Sequence, residues 1–359
     1  MAVELAERSY PIYVTAEGFD TFGLRFREHC GSRRAVIITD NNVGPIYAER
    51  VAASLSQAGV DSRVASVAGG ESSKRMAVVE SLYDQLFDFT LERTDAIVAL
   101  GGGVVGDLAG FVAATYKRGL DYVQAPTSLL AMVDSSVGGK TGINHPRGKN
   151  MIGAFHQPRL VYAAVSALET LPPRELSCGL TETVKHAVIR DQAFFTYLEG
   201  NVEQVLALAP EQTVDLVVRN CRIKAAVVSA DERETGLRGI LNFGHTIGHA
   251  LETVWAGKDV HHGEAVALGM TAAARIAINR NMLKAEDAER IMALLAAFGL
   301  PLKAPHDLPI NAIYAAMQHD KKVHAGKIKF ILPTGLGSCT FVEDLTEAEM
   351  KCAIGTLDQ

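Results

Sequence analysis

Residues 95–107 read DAIVALGGGVVGD, a short apolar run that leads directly into a glycine-rich turn. The run has the length and composition of a buried strand, and a helical pattern follows over Leu108 to Tyr116. Gly101, Gly103 and Gly106 satisfy GxGxxG, in which backbone amides can approach a pyrophosphate at a helix N-terminus. A glycine turn needed only for packing has the same pattern, but the position between strand and helix favours a nucleotide site.

The glycine turn follows the third candidate strand, whereas the usual dinucleotide fingerprint follows the first. The two earlier candidates are residues 35–40 (AVIITD) and 62–67 (SRVASV), and residues 121–125 form a fourth. Strands that alternate with helices in this way predict a parallel sheet with right-handed crossovers. Asp40, at the end of the first clear strand, is then a candidate acid for a ribose hydroxyl. We expect a dinucleotide site in a non-standard arrangement.

The amino-acid composition of the chain changes at Pro172-Pro173. Helix-forming residues dominate afterwards, for instance over residues 182–190, 202–209 and 285–298. A length of 359 residues is typical of about two domains. We therefore predict an α/β fold: a Rossmann-like dinucleotide-binding domain over residues 1–171, followed by a mainly α-helical metal- and substrate-binding domain over residues 172–359.

Composition excludes several functional classes. The 35 Lys and Arg against 41 Asp and Glu give a net charge of −6, which argues against a nucleic-acid-coating surface. No apolar run approaches the ~18–20 residues of a membrane span, and the N-terminal residues lack the pattern of a signal peptide. The five cysteines are scattered and form no CxxC pair, as in a protein with reduced thiols. We expect a cytoplasmic location, with neither nucleic acid nor membrane as partner.

A second glycine-rich segment, DSSVGGKTGIN, occupies residues 134–144. It resembles a P-loop in composition, but Asp134 stands where the P-loop pattern requires glycine. Lys140, with Lys149 and Asn150 just downstream, could hold an anionic ligand. The alternative is a turn with a surface lysine.

Four histidines lie within eighteen residues of the second half: His245, His249, His261 and His262. His245 and His249 are four residues apart, so a helix would place both on one face. Imidazoles and carboxylates suit a catalytic Zn²⁺, which usually has three protein ligands and an open position. The candidate carboxylates are Glu264, Glu252 and Glu182. Spacing nominates His245 and His249 together and does not decide between His261 and His262.

Isolated basic residues such as Lys224, Lys321 and Lys322 are usually solvated surface residues. Arg238 differs, because it lies seven residues before His245, about two helical turns if that segment is helical.

Seven motifs occur in one order along most of the chain. They are GESSK (70–74), GGGVVGDLAGF (101–111), PTSLLAMVDSSVGGK (126–140), GKN (148–150), ETVK (182–185), RGILNFGH (238–245) and HGEAV (262–266). Together they closely resemble the 3-dehydroquinate synthases, a family of sugar-phosphate cyclases.

The resemblance implies NAD as cofactor and an active site in the cleft between the two domains. It implies zinc, with Co²⁺ as an alternative metal, held by Glu182, His245 and His262, while His249 becomes a proton-transfer or hydrogen-bonding residue. The doubled histidine is a small departure, and we select His262 because it directly precedes Gly263-Glu264.

The resemblance also assigns the remaining site residues. NAD contacts are expected from Asp40, Glu71, Lys74, Gly102, Gly103, Val104, Gly106, Asp107, Thr127, Ser128, Leu130, Asp134, Lys140, Lys149, Thr170 and Leu171. Substrate contacts are expected from Lys140, Asn150, Lys185, Lys224, Arg238, Asn242 and one of Lys321 and Lys322. Arg118 matches an arginine that reaches into a neighbouring subunit's site, which implies a homodimer.

The implied activity is the conversion of 3-deoxy-D-arabino-heptulosonate 7-phosphate into 3-dehydroquinate and phosphate. Its steps are transient NAD-dependent oxidation, β-elimination of phosphate, reduction, ring opening and intramolecular aldol closure. The alternatives are another cyclase, such as a 2-deoxy-scyllo-inosose synthase, a metal-dependent polyol dehydrogenase, and a non-catalytic NAD-sensing protein.

Overall fold

The computed structural model describes residues 1–318, 323–324 and 327–358. The helices are α1 (Phe22–His29), α2 (Gly44–Gln57), α3 (Met76–Asp88), α4 (Gly103–Thr115), α5 (Pro173–Arg190), α6 (Gln192–Gly200), α7 (Val202–Leu206), α8 (Pro210–Ala230), α9 (His245–Val254), α10 (His262–Asn279), α11 (Ala285–Ala297), α12 (Ile310–Gln318) and α13 (Glu347–Gly355). The strands are β1 (Ala2–Val3), β2 (Tyr10–Thr15), β3 (Arg34–Asp40), β4 (Asp61–Val67), β5 (Ala96–Gly101), β6 (Asp121–Pro126), β7 (Lys140–His145), β8 (Gly148–Phe155), β9 (Leu160–Ala164), β10 (Val323–His324), β11 (Lys327–Ile328), β12 (Phe330–Gly335) and β13 (Ser338–Val342).

The chain divides into two compact units. The first comprises Met1–Leu171 and Thr213–Arg233, and the second comprises Pro172–Gln212 and Glu234–Gln359. This division differs from the predicted domains in one segment, residues 213–233, which holds most of α8 and packs with the first unit. The physical reason is a set of buried contacts, among them the bond that the Cys221 thiol donates to the Met132 carbonyl oxygen at 3.3 Å.

The first unit is built on a seven-stranded sheet in the order β1-β2-β9-β6-β5-β3-β4. β1 runs antiparallel to β2, and all other neighbours are parallel, with Ile12 opposite Val161 where β2 meets β9. Every residue of β5 is buried, as expected for a parallel strand with helices on both faces. The predicted α/β class with a parallel sheet is therefore confirmed.

The strand order creates a reversal point in this sheet. From β3 the chain crosses to β4 on one side and then returns to form β5 on the other side of β3. Loops at the carboxyl ends of β3 and β5 therefore diverge and leave a crevice, where ligands of open α/β sheets bind. Asp40 ends β3, and Gly101 ends β5. The glycine turn follows the third candidate strand and not the first, but it nevertheless lies at the reversal point of the sheet.

The second unit is mainly helical, as predicted, and also contains the β12–β13 hairpin. Its centre is the pair α9 and α10, which approach closely through glycines. A Cβ on Gly248 would lie 3.1 Å from the Ala265 carbonyl oxygen, and a Cβ on Gly269 would overlap the Gly244 carbonyl oxygen. Among the described residues, no helix combines the length and apolar character needed to cross a membrane.

Some elements were not anticipated. The β7–β8 hairpin has no clear sequence signal because every residue of β8 is exposed or half-buried, so that the strand lacks a buried apolar face. Lys140 begins β7, so it lies in a strand and not in the turn that the sequence offered as an alternative. The predicted helix over residues 202–209 is limited to the short α7.

Replacing Gly269 with Ala tests the close helix pairing. We expect Gly269→Ala to lower the free energy of unfolding by about 1–3 kcal/mol, because the added methyl group forces α9 and α10 apart. Chemical denaturation measures this change. Gly200→Ala is the matched control, since no atom lies within 4 Å of a Cβ at Gly200; an equal loss in both variants contradicts the packing explanation.

Candidate active site

Three ligand-type side chains of the second unit converge from three helices. Glu182 lies in the middle of α5, His245 is the first residue of α9, and His262 is the first residue of α10. Gly244, which precedes α9, has a left-handed φ of +79° that favours glycine. Each histidine therefore occupies a helix start, and the carboxylate comes from a helix interior.

The distances within this group are short. The Nε2 atom of His245 lies 3.6 Å from Glu182 Oε1, and the Nε2 atom of His262 lies 4.0 Å from the same oxygen. One ligand atom from each residue falls within a common span of 4.8 Å. This spacing accommodates a cation coordinated at the ~2.0–2.2 Å typical of zinc with nitrogen and oxygen ligands.

The other nitrogen of each imidazole has a partner of its own. His262 Nδ1 lies 3.2 Å from Glu252 Oε2, and His245 Nδ1 lies 3.1 Å from the Phe243 carbonyl oxygen. Partners of this kind fix the tautomer of metal-binding histidines, with Nδ1–H donating and Nε2 left as the ligand atom. In both residues Nε2 is the atom closer to Glu182.

Glu182 itself needs a cation. Its side chain is 1% exposed, and neither carboxylate oxygen accepts a hydrogen bond from the described residues. Lys185, one helical turn later on α5, forms an ion pair with Oε2. A buried carboxylate without hydrogen bonds is costly unless positive charge faces it. This donor set fits a divalent metal.

The geometry distinguishes the candidates that spacing left open. The Nδ1 atom of His261 lies 3.1 Å from Glu175, and Glu264 is paired with Arg174, so neither residue joins the group around Glu182. The His249 ring centre lies 5.3 Å from that of His245 and 6.0 Å from that of His262.

Opposing effects act on the pKa of His262. Desolvation lowers the pKa of His262, but the carboxylates of Glu252 and Glu182 raise it by more, so that the pKa lies above its ordinary value. Because a metal ligand must be deprotonated, a proton and a metal compete for this imidazole.

In the first unit, the glycine turn opens onto the carboxyl end of the sheet. Gly102 precedes α4 and provides no side-chain cap, so the first amides of the helix are available to an anion. Asp40 Oδ1 accepts hydrogen bonds from the amides of Asn42 at 2.8 Å and Val43 at 2.9 Å. These bonds fix the loop after β3.

A buried lysine connects several of the predicted residues. Lys74 Nζ donates to Asp107 Oδ2 at 2.7 Å and to Asn150 Oδ1 at 2.5 Å, and it lies 3.7 Å from Glu71. Burial raises the pKa of Asp107 although Lys74 opposes this effect. Asn144 donates to Glu71 and accepts from the Asn150 amide. Sequence reasoning gave Asn144 no role, although it lies within the second glycine-rich segment.

A second buried lysine contacts the turn after β6. Lys224 Nζ pairs with Asp134 Oδ1 at 2.7 Å and donates to the Asp134 carbonyl oxygen at 2.5 Å. Asp134 lies in a single π-helical turn, a feature that often occurs at functional sites. Thr127, Ser128 and Leu130 precede this turn.

The other predicted residues of the first unit are more dispersed. Lys140 and Lys149 are exposed near opposite ends of the β7–β8 hairpin. The Thr170 hydroxyl lies 2.7 Å from that of Tyr47, and Leu171 follows it. Arg118 is exposed and has a left-handed φ of +68°.

In the second unit, Arg238 is 2% exposed, and Asn242 donates to Glu234 at 2.6 Å. Lys321 and Lys322 lie outside the described residues, so their predicted role is not tested. Arg174 was not singled out from the sequence, and nothing in its local pattern distinguishes it.

Comparison with known proteins provides the family. The family model described as 3-dehydroquinate synthase N-terminal matches residues 64–178, and the one described as 3-dehydroquinate synthase C-terminal matches residues 179–323. The 3-dehydroquinate synthase of Desulforamulus reducens is 49% identical over 98% of this chain and 98% of its own length. That of Symbiobacterium thermophilum is 48% identical over 99% of each chain.

Solved structures of related cyclases share the fold. The 2-epi-5-epi-valiolone synthase from Streptomyces hygroscopicus subsp. jinggangensis 5008, with NAD⁺ and Zn²⁺ bound, has a TM-score of 0.89 and 29% identity over 99% of this chain and 98% of its own. A 2-deoxy-scyllo-inosose synthase complexed with carbaglucose-6-phosphate, NAD⁺ and Co²⁺ has a TM-score of 0.91 and 26% identity over the same shares. With family models matching most of its length and relatives near half identity, this chain belongs to the 3-dehydroquinate synthase family.

Proposed function

We propose that this chain converts 3-deoxy-D-arabino-heptulosonate 7-phosphate into 3-dehydroquinate and phosphate, with no net redox change, as a lyase of the shikimate pathway. The observation that carries the proposal is the convergence of Glu182, His245 and His262 in a chain whose full-length relatives are named for this activity.

The proposed metal ligands are Glu182 and the Nε2 atoms of His245 and His262. Their support is the buried carboxylate, which accepts no hydrogen bond and has Lys185 as its ion-pair partner, together with the outer partners of both imidazoles. Related cyclases bind Zn²⁺ or Co²⁺ together with NAD⁺. When bound, the metal supplies a Lewis acid for a substrate hydroxyl, and NAD⁺ supplies a hydride acceptor.

The proposed NAD site lies at the reversal point of the first unit. The amides that begin α4 would face the pyrophosphate, and Gly102 and Gly103 would let the backbone approach it. Asp40, held by its own loop, would accept a ribose hydroxyl. Lys74 would keep Asp107 and Asn150 in place through its two hydrogen bonds.

Proton handling is assigned to His249, and anion binding to buried cations. His249 is one helical turn from His245, and its ring is adjacent to that of His262, so it can hold or transfer a proton next to the metal ligands.

Lys185, Lys224 and Arg238 are 5% exposed or less. Desolvated cations of this kind bind phosphate and carboxylate more strongly than surface lysines do. Lys140, Asn150 and Asn242 complete the proposed substrate contacts.

The proposal distinguishes this chain from its structural neighbours. Carbaglucose-6-phosphate, which is bound in one 2-deoxy-scyllo-inosose synthase structure, carries no carboxylate for residues such as Lys224 and Arg238 to bind. A probable glycerol dehydrogenase from Sinorhizobium meliloti 1021 has 18% identity and a TM-score of 0.62, a likeness of fold alone.

The proposal also includes a homodimer, in which Arg118 reaches the site of the neighbouring subunit. It includes a cytoplasmic location, which is consistent with five free cysteines.

A turnover assay tests the activity. With NAD⁺ in catalytic amounts, we expect one phosphate per heptulosonate phosphate consumed and no accumulation of NADH, because the hydride returns to the substrate. Phosphate release and absorbance at the NADH band are measured together. Stoichiometric NADH contradicts the proposal in favour of a dehydrogenase, and phosphate released from glucose 6-phosphate instead indicates another cyclase.

The paired histidines provide a test of the metal site. We expect His262→Ala to reduce metal affinity by at least about 100-fold and to abolish turnover, because one of three ligands is lost. His261→Asn should bind metal like the wild type, since asparagine is accepted at a helix N-cap. Metal content after dialysis and chelator competition measure both. If both variants lose metal affinity equally, His262 is not the only ligand of this histidine pair and the assignment is wrong.

Gly102→Ala separates a nucleotide site from a packing turn. The new Cβ would lie 3.4 Å from Ser128 Oγ, so the protein should fold with a loss of about 1 kcal/mol or less. We expect NAD⁺ affinity to fall at least about tenfold, because the methyl group occupies the pyrophosphate cradle. Calorimetric titration measures the affinity. If it is unchanged, the glycine turn serves packing only.

A further inference from the structure

We infer that Arg174 is a positioning residue for His262, and the inference rests on the metal site proposed above. Arg174 lies in the first turn of α5, the helix that also carries Glu182. Its guanidinium binds one residue before His262 in the sequence, Asp259, and one residue after it, Glu264. Neither the metal nor the substrate is expected to touch it.

The contact with Glu264 fixes the start of α10. Arg174 Nε and Nη2 donate to the two carboxylate oxygens of Glu264 at 2.6 and 2.8 Å. Glu264 Oε2 also accepts the backbone amide of His261 at 2.9 Å, which is one half of a capping box. His262 lies between the capped residue and the capping glutamate, so its backbone is held by this ring of bonds.

The contact with Asp259 fixes the loop that leads into α10. Arg174 Nη1 donates to both carboxylate oxygens of Asp259 at 2.7 Å each, and Nη2 donates to the Asp259 carbonyl oxygen at 3.0 Å. The planar guanidinium suits such paired bonds, and lysine cannot reproduce them. We call the set of Arg174, Asp259 and Glu264 the α10 clamp.

The clamp connects two of the three proposed ligands through one helix. Glu182 follows Arg174 by eight residues on α5, a little more than two helical turns. A rigid helix therefore holds the carboxylate ligand at one point and the start of α10 at another. The helix and the clamp therefore limit how far His262 can move relative to Glu182. This limit matters because metal ligands must be held within about 0.5 Å of productive geometry.

The second unit contains a matched clamp elsewhere. Arg280 binds both oxygens of Glu349 at 2.6 and 3.0 Å, and it donates to the side chain and carbonyl of Asp344 at 2.6 and 3.1 Å. Glu349 Oε2 accepts the amide of Thr346, the N-cap of α13. The five-residue spacing is the same as in the α10 clamp, and four of the five bonds use the same atoms; the second bond from Arg174 Nη1 to Asp259 has no counterpart at Asp344. No metal-competent group found among the described residues includes this second clamp.

The pair permits a matched experiment on the full-length protein. Arg174→Gln and Arg280→Gln remove corresponding sets of bonds, five and four respectively, from equivalent helix starts, and we expect similar decreases in melting temperature for the metal-free proteins. Only Arg174→Gln should lose metal affinity, by about tenfold, in line with outer-shell changes. Zn²⁺ affinity is measured by chelator competition, and the visible spectrum of the Co²⁺-loaded protein reports ligand geometry.

Two further variants keep the test decisive. Arg174→Lys should recover only part of the metal affinity, and Asp259→Asn, at a side chain that is 79% exposed, should fold even if Arg174→Gln does not. Wild-type affinity and an unchanged Co²⁺ spectrum in the Arg174 and Asp259 variants overturn the inference, as does an equal affinity loss in Arg280→Gln. A wild-type chain that binds no metal overturns the proposed metal site and this inference with it.

Discussion

The second unit depends on how the buried charge of Glu182 is neutralised. Its carboxylate is nearly inaccessible and accepts no hydrogen bond among the described residues. A group of this kind is stable only next to positive charge, and Lys185 with two imidazoles surrounds it. The same arrangement that costs folding energy without a cation provides affinity for one. Burial of this acid thus underlies the metal site proposed above.

In the second unit, α9 and α10 position two imidazoles next to that carboxylate. Glycines between α9 and α10 let the two helix starts approach, and each start carries one imidazole. Phe243 and Glu252 then direct the imidazoles through Nδ1. In the first unit, strand order alone brings the glycine turn beside Asp40. The two imidazoles and the glycine turn therefore lie at the ends of regular elements, whereas Glu182 lies in the interior of α5.

Local patterns predicted the parts of this structure that depend on neighbours in sequence. An apolar run followed by glycines predicted β5 and α4, and helical spacing placed His245 near His249. The family resemblance selected His262 over His261. Local spacing alone could not show that His262 approaches Glu182 whereas His261 approaches Glu175, since both carboxylates lie on α5. The long-range packing of residues 213–233 was not predictable for the same reason.

The strand order also affects how the protein is made on the ribosome. β2 lies between β1 and β9, and its parallel partner is separated from it by nearly the whole first unit, with Ile12 opposite Val161. At ~5–20 residues per second, β2 waits roughly 7–30 s for that partner to be synthesised. The first unit is complete only after Arg233 has emerged, when residues 172–212 are already present. The nascent chain therefore has an unpaired strand edge during that interval, and an exposed edge of this kind favours aggregation until β9 is synthesised.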